Sequence, residues 1–258
     1  MLYKIYNTKS NKGKTIEATE DMVDVITLGN DFYKNLKEDD EVELYGGDGS
    51  LNVFVNNCKY VLPKITLMKY GTGNDLYKCL DEEYKTINIY KVNDTRFCNG
   101  FGAGFDALVC KLTEEAPDKK KSTFIKSVYK GLRQTELIDV NLEVDGKVYD
   151  YKGSFLLVTN SGKYIGGGMQ ICPDADPSKE ELEMCCIHNG SKLKLALLFP
   201  TVFSAKHVNI QRNVKTLKGK EFKLKLSSPS IYQTDGEVGP ECDTFVVKKD
   251  TTLTIRRK

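Results

Sequence analysis

The chain has 258 residues, with 38 lysines and arginines against 36 aspartates and glutamates, a formal net charge of +2 and no tryptophan. That length supplies core for one large domain or two modest ones, and 40% hydrophobic with 29% charged residues is the balance of a globular chain, not a disordered one. The near-neutral balance argues against a duplex nucleic acid partner, and no apolar run approaches the ~20 residues of a membrane helix.

The eight cysteines form no C-x-x-C pair and only two histidines accompany them, so a zinc site is not expected. The opening MLYKIYN reads as a strand, not as a charged and then apolar leader. Reduced thiols in a cytoplasm are therefore expected.

In chain order, LYKIYN predicts a first strand, VDVITL a second, NDFYKNLKE a short helix, EVELYGG a third strand and KITLMKYG a fourth; GNDLYKCL predicts the start of a helix. Strands alternating with helices imply a parallel, Rossmann-like sheet over residues 1–85. From residue 86 the texture turns to strands. KTINIYKV alternates, and NLEVDGKVYDY carries Asp145-Gly146 between two alternating runs, a strong hairpin signal. GSFLLVTN reads as a buried strand, EFKLKLSS sets Phe222, Leu224 and Leu226 on one face, and TFVVKK and TLTIRR close the series. Two helices are expected to interrupt it: TFIKSVYKGLRQTEL, with Phe124, Val128 and Leu132 at helical spacing, and SKLKLALLFPTVFSA. The expected fold is an α/β Rossmann-like domain (1–85) followed by a β-rich sandwich or barrel (86–258).

Two loops carry the chemistry. Gly46-Gly47-Asp48-Gly49-Ser50 follows the third strand and Gly71-Thr72-Gly73-Asn74-Asp75 follows the fourth. Loops at the carboxyl ends of parallel strands lie where open α/β sheets bind ligands. Glycines permit positive φ and close approach, and exposed N–H groups beside a helix start cradle phosphate. Bare carboxylates there would repel phosphate, so Asp48 and Asp75 make sense with Mg²⁺ on a nucleotide. Asn7-Thr8-Lys9-Ser10, after the first strand, is a third polar loop at the same sheet edge. Near the other end, Asp235 and Glu237 flank Gly236. In an extended segment their side chains would point the same way, and phosphoryl transfer needs a carboxylate beside the attacking hydroxyl.

GGDGSLN, GTGND, NGFGAGFDALV, GGGMQICPDA and QTDGEVG, in that order, resemble the diacylglycerol kinase catalytic-domain family, which includes bacterial lipid kinases and sphingosine kinases. The resemblance runs from Asn7 to the last strands. It implies a nucleotide-binding domain, a lipid-holding β-domain, and an active site between them. It also implies that Asp48 and Asp75 organise Mg²⁺ on ATP and that Gly46, Gly47, Gly49, Ser50, Gly71, Thr72, Gly73 and Asn74 contact the nucleotide. Asn7, Thr8, Lys9, Ser10 and Thr27 complete that set. Glu237 is implied as the general base, with Asp235 and Asp106 supporting it.

This sequence departs from the family in several places. Thr8 replaces a proline, Val53 a glutamate and Ser50 a threonine, and the stretch between Gly13 and Val23 is short. Lys179-Glu180 stands where the family has an Asp-Gly that helps hold a second, structural Mg²⁺; the expectation is that the Lys179 ammonium takes over that charge.

The reading is an ATP-dependent lipid kinase, acting on diacylglycerol to give phosphatidic acid. A kinase acting on NAD and a non-catalytic lipid- or nucleotide-binding module are the alternatives. Basic clusters at Lys119, Lys120, Lys121 and Lys126, and at Lys206, Arg212, Lys215, Lys218 and Lys220, suggest peripheral contact with anionic lipid headgroups. Whether the chain forms a homodimer is open at this stage.

Overall fold

The computed structural model describes residues 1–8, 16–17, 19–117, 121–189 and 191–258. The first strands are β1 (Leu2–Tyr6), β2 (Met22–Asp24), β3 (Glu41–Gly46) and β4 (Lys64–Lys69). All pair in parallel, in the order β2-β1-β3-β4. In β3, Val42 and Leu44 alternate with half-buried Glu43 and Tyr45, the pleat turning every second side chain to the core. Helix α1 (Asn30–Asn35) is short, and α2 (Asp48–Asn57) buries Leu51, Phe54 and Val55, the helical face that meets the sheet. Full burial of each such side chain stabilises by about 1.5–3 kcal/mol. Arg96 closes the far end of α2, donating from one guanidinium nitrogen to the carbonyls of Val55 and Cys58, where a cation also suits the helix dipole.

Two expected elements are shorter than the sequence suggests. VDVITL yields only the three residues of β2, because the Asp24 carboxylate accepts from Ile26 N and its carbonyl from Thr27 N, which turns the chain. GNDLYKCL forms a single 3-10 turn, Tyr77–Cys79, since only residues 80–84 remain to reach the next strand.

The second part contains β5 (Lys85–Val92), β6 (Thr95–Phe97), β7 (Gly100–Gly104), β8 (Ile138–Val144), β9 (Lys147–Ser154), β10 (Leu156–Asn160), β11 (Leu182–Ile187), β12 (Val214–Gly219), β13 (Glu221–Thr234) and β14 (Glu237–Arg257). Its neighbours pair antiparallel, in the order β12-β11-β10-β7-β13-β14. The Asp145-Gly146 hairpin forms as expected, Val144 opposite Lys147 and both turn residues at positive φ (+47° and +83°). The helices are α3 (Phe105–Glu114), α4 (Lys121–Gln134) and α5 (Lys192–Leu198). After Leu198 the expected second helix tightens to a 3-10 turn, Phe199–Ser204, with Pro200 near its start. Helix α3 is an addition to the expected set.

β10 and β11 are buried along their whole length. Leu157, Met184 and Cys186 enter the sandwich core, whereas Leu156, Val158, Cys185 and Ile187 face α3, α4 and α5. Coverage of both faces explains why these strands read as unbroken apolar runs. The fold is thus a Rossmann-like α/β layer joined to a β-rich sandwich. β14 links the two: it pairs with β13 and β5, and its last residues run parallel to β4, Ile255 opposite Ile65. Leu253 and Ile255 consequently sit in the core of the first sheet with Ile87 and Ile89.

Candidate active site

The glycines after β3 serve close approach, and none of Gly46, Gly47 and Gly49 is at positive φ. Gly46 ends β3, Gly47 is the N-cap of α2, and Asp48 is already helical. The expected loop is therefore one residue long. A Cβ on Gly46 would collide with the Ser50 side chain, and one on Gly47 would lie 2.5 Å from the α-carbon of Gly71. The two glycine segments thus touch backbone to backbone. Asn74, at φ +51°, closes the second: its Oδ1 accepts from Gly71 N (2.9 Å) and its Nδ2 donates to Gly71 O (2.7 Å). Thr72 stands exposed at the tip.

Asp48 joins the segments. Its carboxylate accepts from the backbone N–H of Asp75 (2.7 Å) and of Leu76 (3.2 Å). Burial pushes its pKa up to about 7; the Asp75 amide pulls the other way, and the Asp75 and Asp235 carboxylates raise it further. Asp75 is buried too. Its carboxylate accepts from Lys78 Nζ (2.7 Å) and, across the cleft, from Gly167 N (2.6 Å). Gly167 belongs to a run, Gly166-Gly167-Gly168, with φ of +58°, +86° and +116°, a backbone only glycine adopts readily.

These residues fit a divalent cation carried on nucleotide phosphates. A Cβ on Gly73 would stand 3.4 Å from Asp75 Oδ2 and 3.8 Å from Asp48 Oδ2, so its absence leaves space before both carboxylates. Mg²⁺ characteristically takes one or two carboxylates with phosphates and waters. Among the described residues no group of three or more His, Cys, Asp or Glu side chains is arranged as a metal cage.

Asp235, Gly236 and Glu237 form a tight turn between β13 and β14, Thr234 opposite Glu237, with φ +51° at Asp235 and +95° at Gly236. The segment is not extended, for the same reason that Asp145-Gly146 turns: Asp-Gly suits positive φ. Asp235 is a clamp. Its carboxylate accepts from Cys98 N (2.7 Å), Asn99 N (2.8 Å), Gly100 N (2.9 Å) and Asn52 Nδ2 (3.0 Å). Burial raises its pKa and these donors oppose the shift. Glu237 reaches back over the first half: its Oε1 is 3.6 Å from where a Cβ on Gly49 would be.

Asp106 lies in the first turn of α3 and accepts from Gln233 Nε2 (2.6 Å), while Gln233 Oε1 accepts from Gly236 N (2.7 Å). Asp106 therefore orients the turn through Gln233. Burial pushes its pKa up to about 6, the Gln233 bond acting against that.

The remaining expected contacts are more scattered. Asn7 donates from Nδ2 to Ser50 Oγ (3.1 Å), and Ser50 is buried against Gly46. The Thr8 hydroxyl bonds the Asp24 carboxylate. Thr27 is exposed and its hydroxyl bonds Asp24 O (2.9 Å). Lys9 and Ser10 lie outside the described residues, as do Lys119 and Lys120. The Lys179 carbonyl accepts from Asn88 Nδ2 (2.8 Å) and from the Tyr90 hydroxyl (3.1 Å). Asn52, Lys78, Gly167 and Gln233 hold the site together and were not singled out as site residues from the sequence. Gln233 sits within QTDGEVG, two residues before Asp235, the one local signal that marks it.

Two cavities meet at Phe124, one of them lined by Glu237. One, of about 220 Å³, is lined by Cys110, Thr113, Glu114, Phe124, Gly236 and Glu237. The other, apolar and of about 30 Å³, lies between α3, α4, α5 and the sheet; Phe105, Val109, Phe124, Ile187, Leu195 and Leu198 are among its walls.

Comparison with known proteins agrees with this architecture. The profile of the YegS C-terminal NAD kinase beta sandwich-like domain matches residues 100–255. A diacylglycerol kinase of Mycobacterium tuberculosis H37Rv is 26% identical over 227 residues, covering 78% of this chain and 71% of its own. A Bacillus anthracis str. Sterne crystal structure superposes with a TM-score of 0.74 at 18% identity, covering 98% of this chain and 94% of that one. A second structure from that organism, described as a diacylglycerol kinase, gives 0.67 at 15% identity, with 98% and 95% covered. At such identities the structures speak for the fold alone. The chain belongs to the diacylglycerol kinase catalytic-domain family, with the YegS-type C-terminal β-sandwich.

Proposed function

We propose that this chain is an ATP-dependent lipid kinase that transfers the γ-phosphoryl group of ATP to a lipid hydroxyl, diacylglycerol being the acceptor and phosphatidic acid the product. In this reading residues 1–85 hold the nucleotide and residues 86–258 the lipid. The observation that carries it is Glu237: a carboxylate from the second part stands 3.6 Å from the Cβ position of Gly49, over the first nucleotide segment. It also lines a cavity that adjoins an apolar one. Both observations support a base set between a phosphoryl donor and a greasy alcohol.

Glu237 takes the proton of the attacking hydroxyl. Asp235 fixes the turn that presents Glu237, and Asp106 steadies it through Gln233. Gly47 and Gly71, packed against each other, bring the two segments together, and Gly73 leaves room for nucleotide phosphates before the carboxylates, with Thr72 at the tip. Mg²⁺ on ATP, held by Asp48 with Asp75 behind it, would neutralise charge on the phosphates. Lys179 is proposed to stand in for a second metal in the β-domain.

Contact with an anionic membrane surface belongs to the same reading. Exposed Ile125 and Tyr129 on α4, and exposed Leu193 and Leu197 on α5, are interspersed with Lys126, Lys130, Arg133, Lys192 and Lys194. No acidic residue occurs between 121 and 134 or between 191 and 220. The α5 segment adjoins α4, Lys192 Nζ donating to the Arg133 carbonyl at 2.6 Å. Apolar side chains ringed by cations suit the boundary between acyl chains and anionic headgroups. No helix among the described residues is long and apolar enough to cross a membrane.

Labelled ATP offered with dispersed diacylglycerol, and separately with NAD, tests the reading. Label is expected in phosphatidic acid, dependent on Glu237. Label in NADP and none in lipid would replace it with the dinucleotide alternative.

A further inference from the structure

We infer that Phe124, in the first turn of α4, is the gate that separates the Glu237 chamber from the apolar cavity and sets which hydrocarbon chains the site accepts. The inference deepens the lipid-kinase reading and rests on it for the identity of the substrate. Among the described residues, Phe124 is the only one that lines both cavities. It is thus the partition between the place where a hydroxyl would be deprotonated and the place where its chain would go.

Volume makes the partition consequential. About 30 Å³ of room holds roughly two water molecules, far less than an acyl chain. For a chain to enter, one wall must yield. Phe105, Val109, Ile187, Leu195 and Leu198 are each at most 6% exposed and belong to one packed cluster, so displacing them disrupts close-packed core. Phe124 is packed against that cluster but only half-buried. Phe199, the other half-buried ring in the wall, stands edge-on to Phe203 (5.7 Å between centroids) and does not reach the Glu237 chamber.

The ring also has somewhere to turn. Its ζ carbon lies 3.7 Å from where a Cβ on Gly166 would be, and the Met169 ε carbon is nearer still, 2.3 Å from that position, so what the ring must push past there is the end of an unbranched, flexible thioether side chain. Displacing that methionine end as the ring swings joins the two cavities into one channel. The channel begins at Glu237, passes α3 and ends against α5. α3 is built for both ends: Phe105, Val109 and Leu112 face the apolar core, while Cys110, Thr113 and Glu114 face the chamber or its mouth.

The test uses the full chain with Phe124→Ala, Phe124→Leu and Phe124→Trp. Binding of the fluorescent fatty acid cis-parinaric acid is measured without ATP, and KM and kcat are measured for diacylglycerols from dihexanoyl to dioleoyl in mixed micelles. Phe124→Trp is expected to weaken parinaric acid binding and raise KM for the dioleoyl substrate about tenfold or more, the usual scale for misfit in an apolar pocket. Phe124→Ala shifts both the other way, and Phe124→Leu, which retains most of the apolar volume, stays near wild type and controls for folding. KM for ATP and kcat with the dihexanoyl substrate are expected to hold. If the wild type phosphorylates no lipid yet its parinaric acid binding responds to Phe124 as described, the kinase reading falls and the gate stands. If lipid is phosphorylated but all three variants keep wild-type probe affinity and chain-length profile, or if the wild type binds no probe, the gate is refuted.

Discussion

Asp75 and Gly167, 92 residues apart in sequence, share a 2.6 Å hydrogen bond across the cleft, the Gly167 N–H donating to Oδ2 while Lys78 holds the other oxygen. Asp75 therefore fastens the triple-glycine loop of the second part to the Gly71–Asp75 segment of the first. Asp75→Asn preserves volume but removes the charge, and a hydrogen bond to a charged group contributes about 1.5–3 kcal/mol. The expected result is a loss of that order in stability together with faster amide exchange at Gly167, read by hydrogen–deuterium exchange. Unchanged protection at Gly167 would show that the contact does not hold the loop.

Glu237 and Asp48 are expected to separate on substitution. Glu237→Gln removes the proposed base while keeping side-chain size, so kcat should fall about 10²–10⁴-fold with ATP affinity retained. Asp48→Asn should weaken magnesium-dependent ATP binding as well as turnover. Calorimetric titration with Mg·ATP beside a steady-state assay distinguishes the two, and full activity in both variants would dismiss the mechanism.

The glycine segments give a steric prediction. Gly47→Ala places a methyl group 2.5 Å from the Gly71 α-carbon, backbone that cannot swing aside. The segments must part, with a loss of about 1–3 kcal/mol and of nucleotide binding. Gly49→Ala meets only Glu237 Oε1, at an ordinary 3.6 Å, and should leave the melting temperature within about 2 °C while lowering turnover. Equal melting temperatures for the two variants would contradict the packing described.

Asp106 predicts a pH dependence. Its carboxyl ionises near pH 4 when unfolded and, pushed up by burial, at about 6 when folded. The folded chain therefore binds the proton more tightly between those values, and stability falls as pH rises from about 4 to 6. The loss is complete above 6 and amounts to at most about 3 kcal/mol. Asp106→Asn keeps an acceptor for Gln233 and should flatten that part of the melting-temperature profile. A variant curve parallel to the wild-type curve over pH 4–6 would refute the assignment.

Much of the fold was legible because its signals are local. The alternation of β3, the Asp145-Gly146 turn and the spacing of Phe124, Val128 and Leu132 each lie within a few residues. α3 is absent from the expected elements although Phe105, Val109 and Leu112 have helical spacing; Gly104 precedes it with no side-chain cap to announce a helix start. Asp235 carries the same Asp-Gly pair as the Asp145 hairpin, and that pair, rather than an extended segment, decides its conformation. What sequence could not give was partnership at distance. The bond between Asn52 and Asp235 spans 183 residues, and nothing near either residue names the other. In the first segment it is Gly47 whose small size serves backbone contact with Gly71, a contact that needs the fourth strand in place.

The path of β14 bears on how the protein is made. Ile255 lies parallel to Ile65 in the sheet that holds the candidate nucleotide segments, and Leu253 and Ile255 help fill the core beneath it. At about 5–20 residues per second, a ribosome needs roughly 10–40 s after making β4 to synthesise the strand that seals its open edge. During that interval the nascent first half presents an unpaired strand and exposed leucines and isoleucines, the kind of surface that chaperones bind.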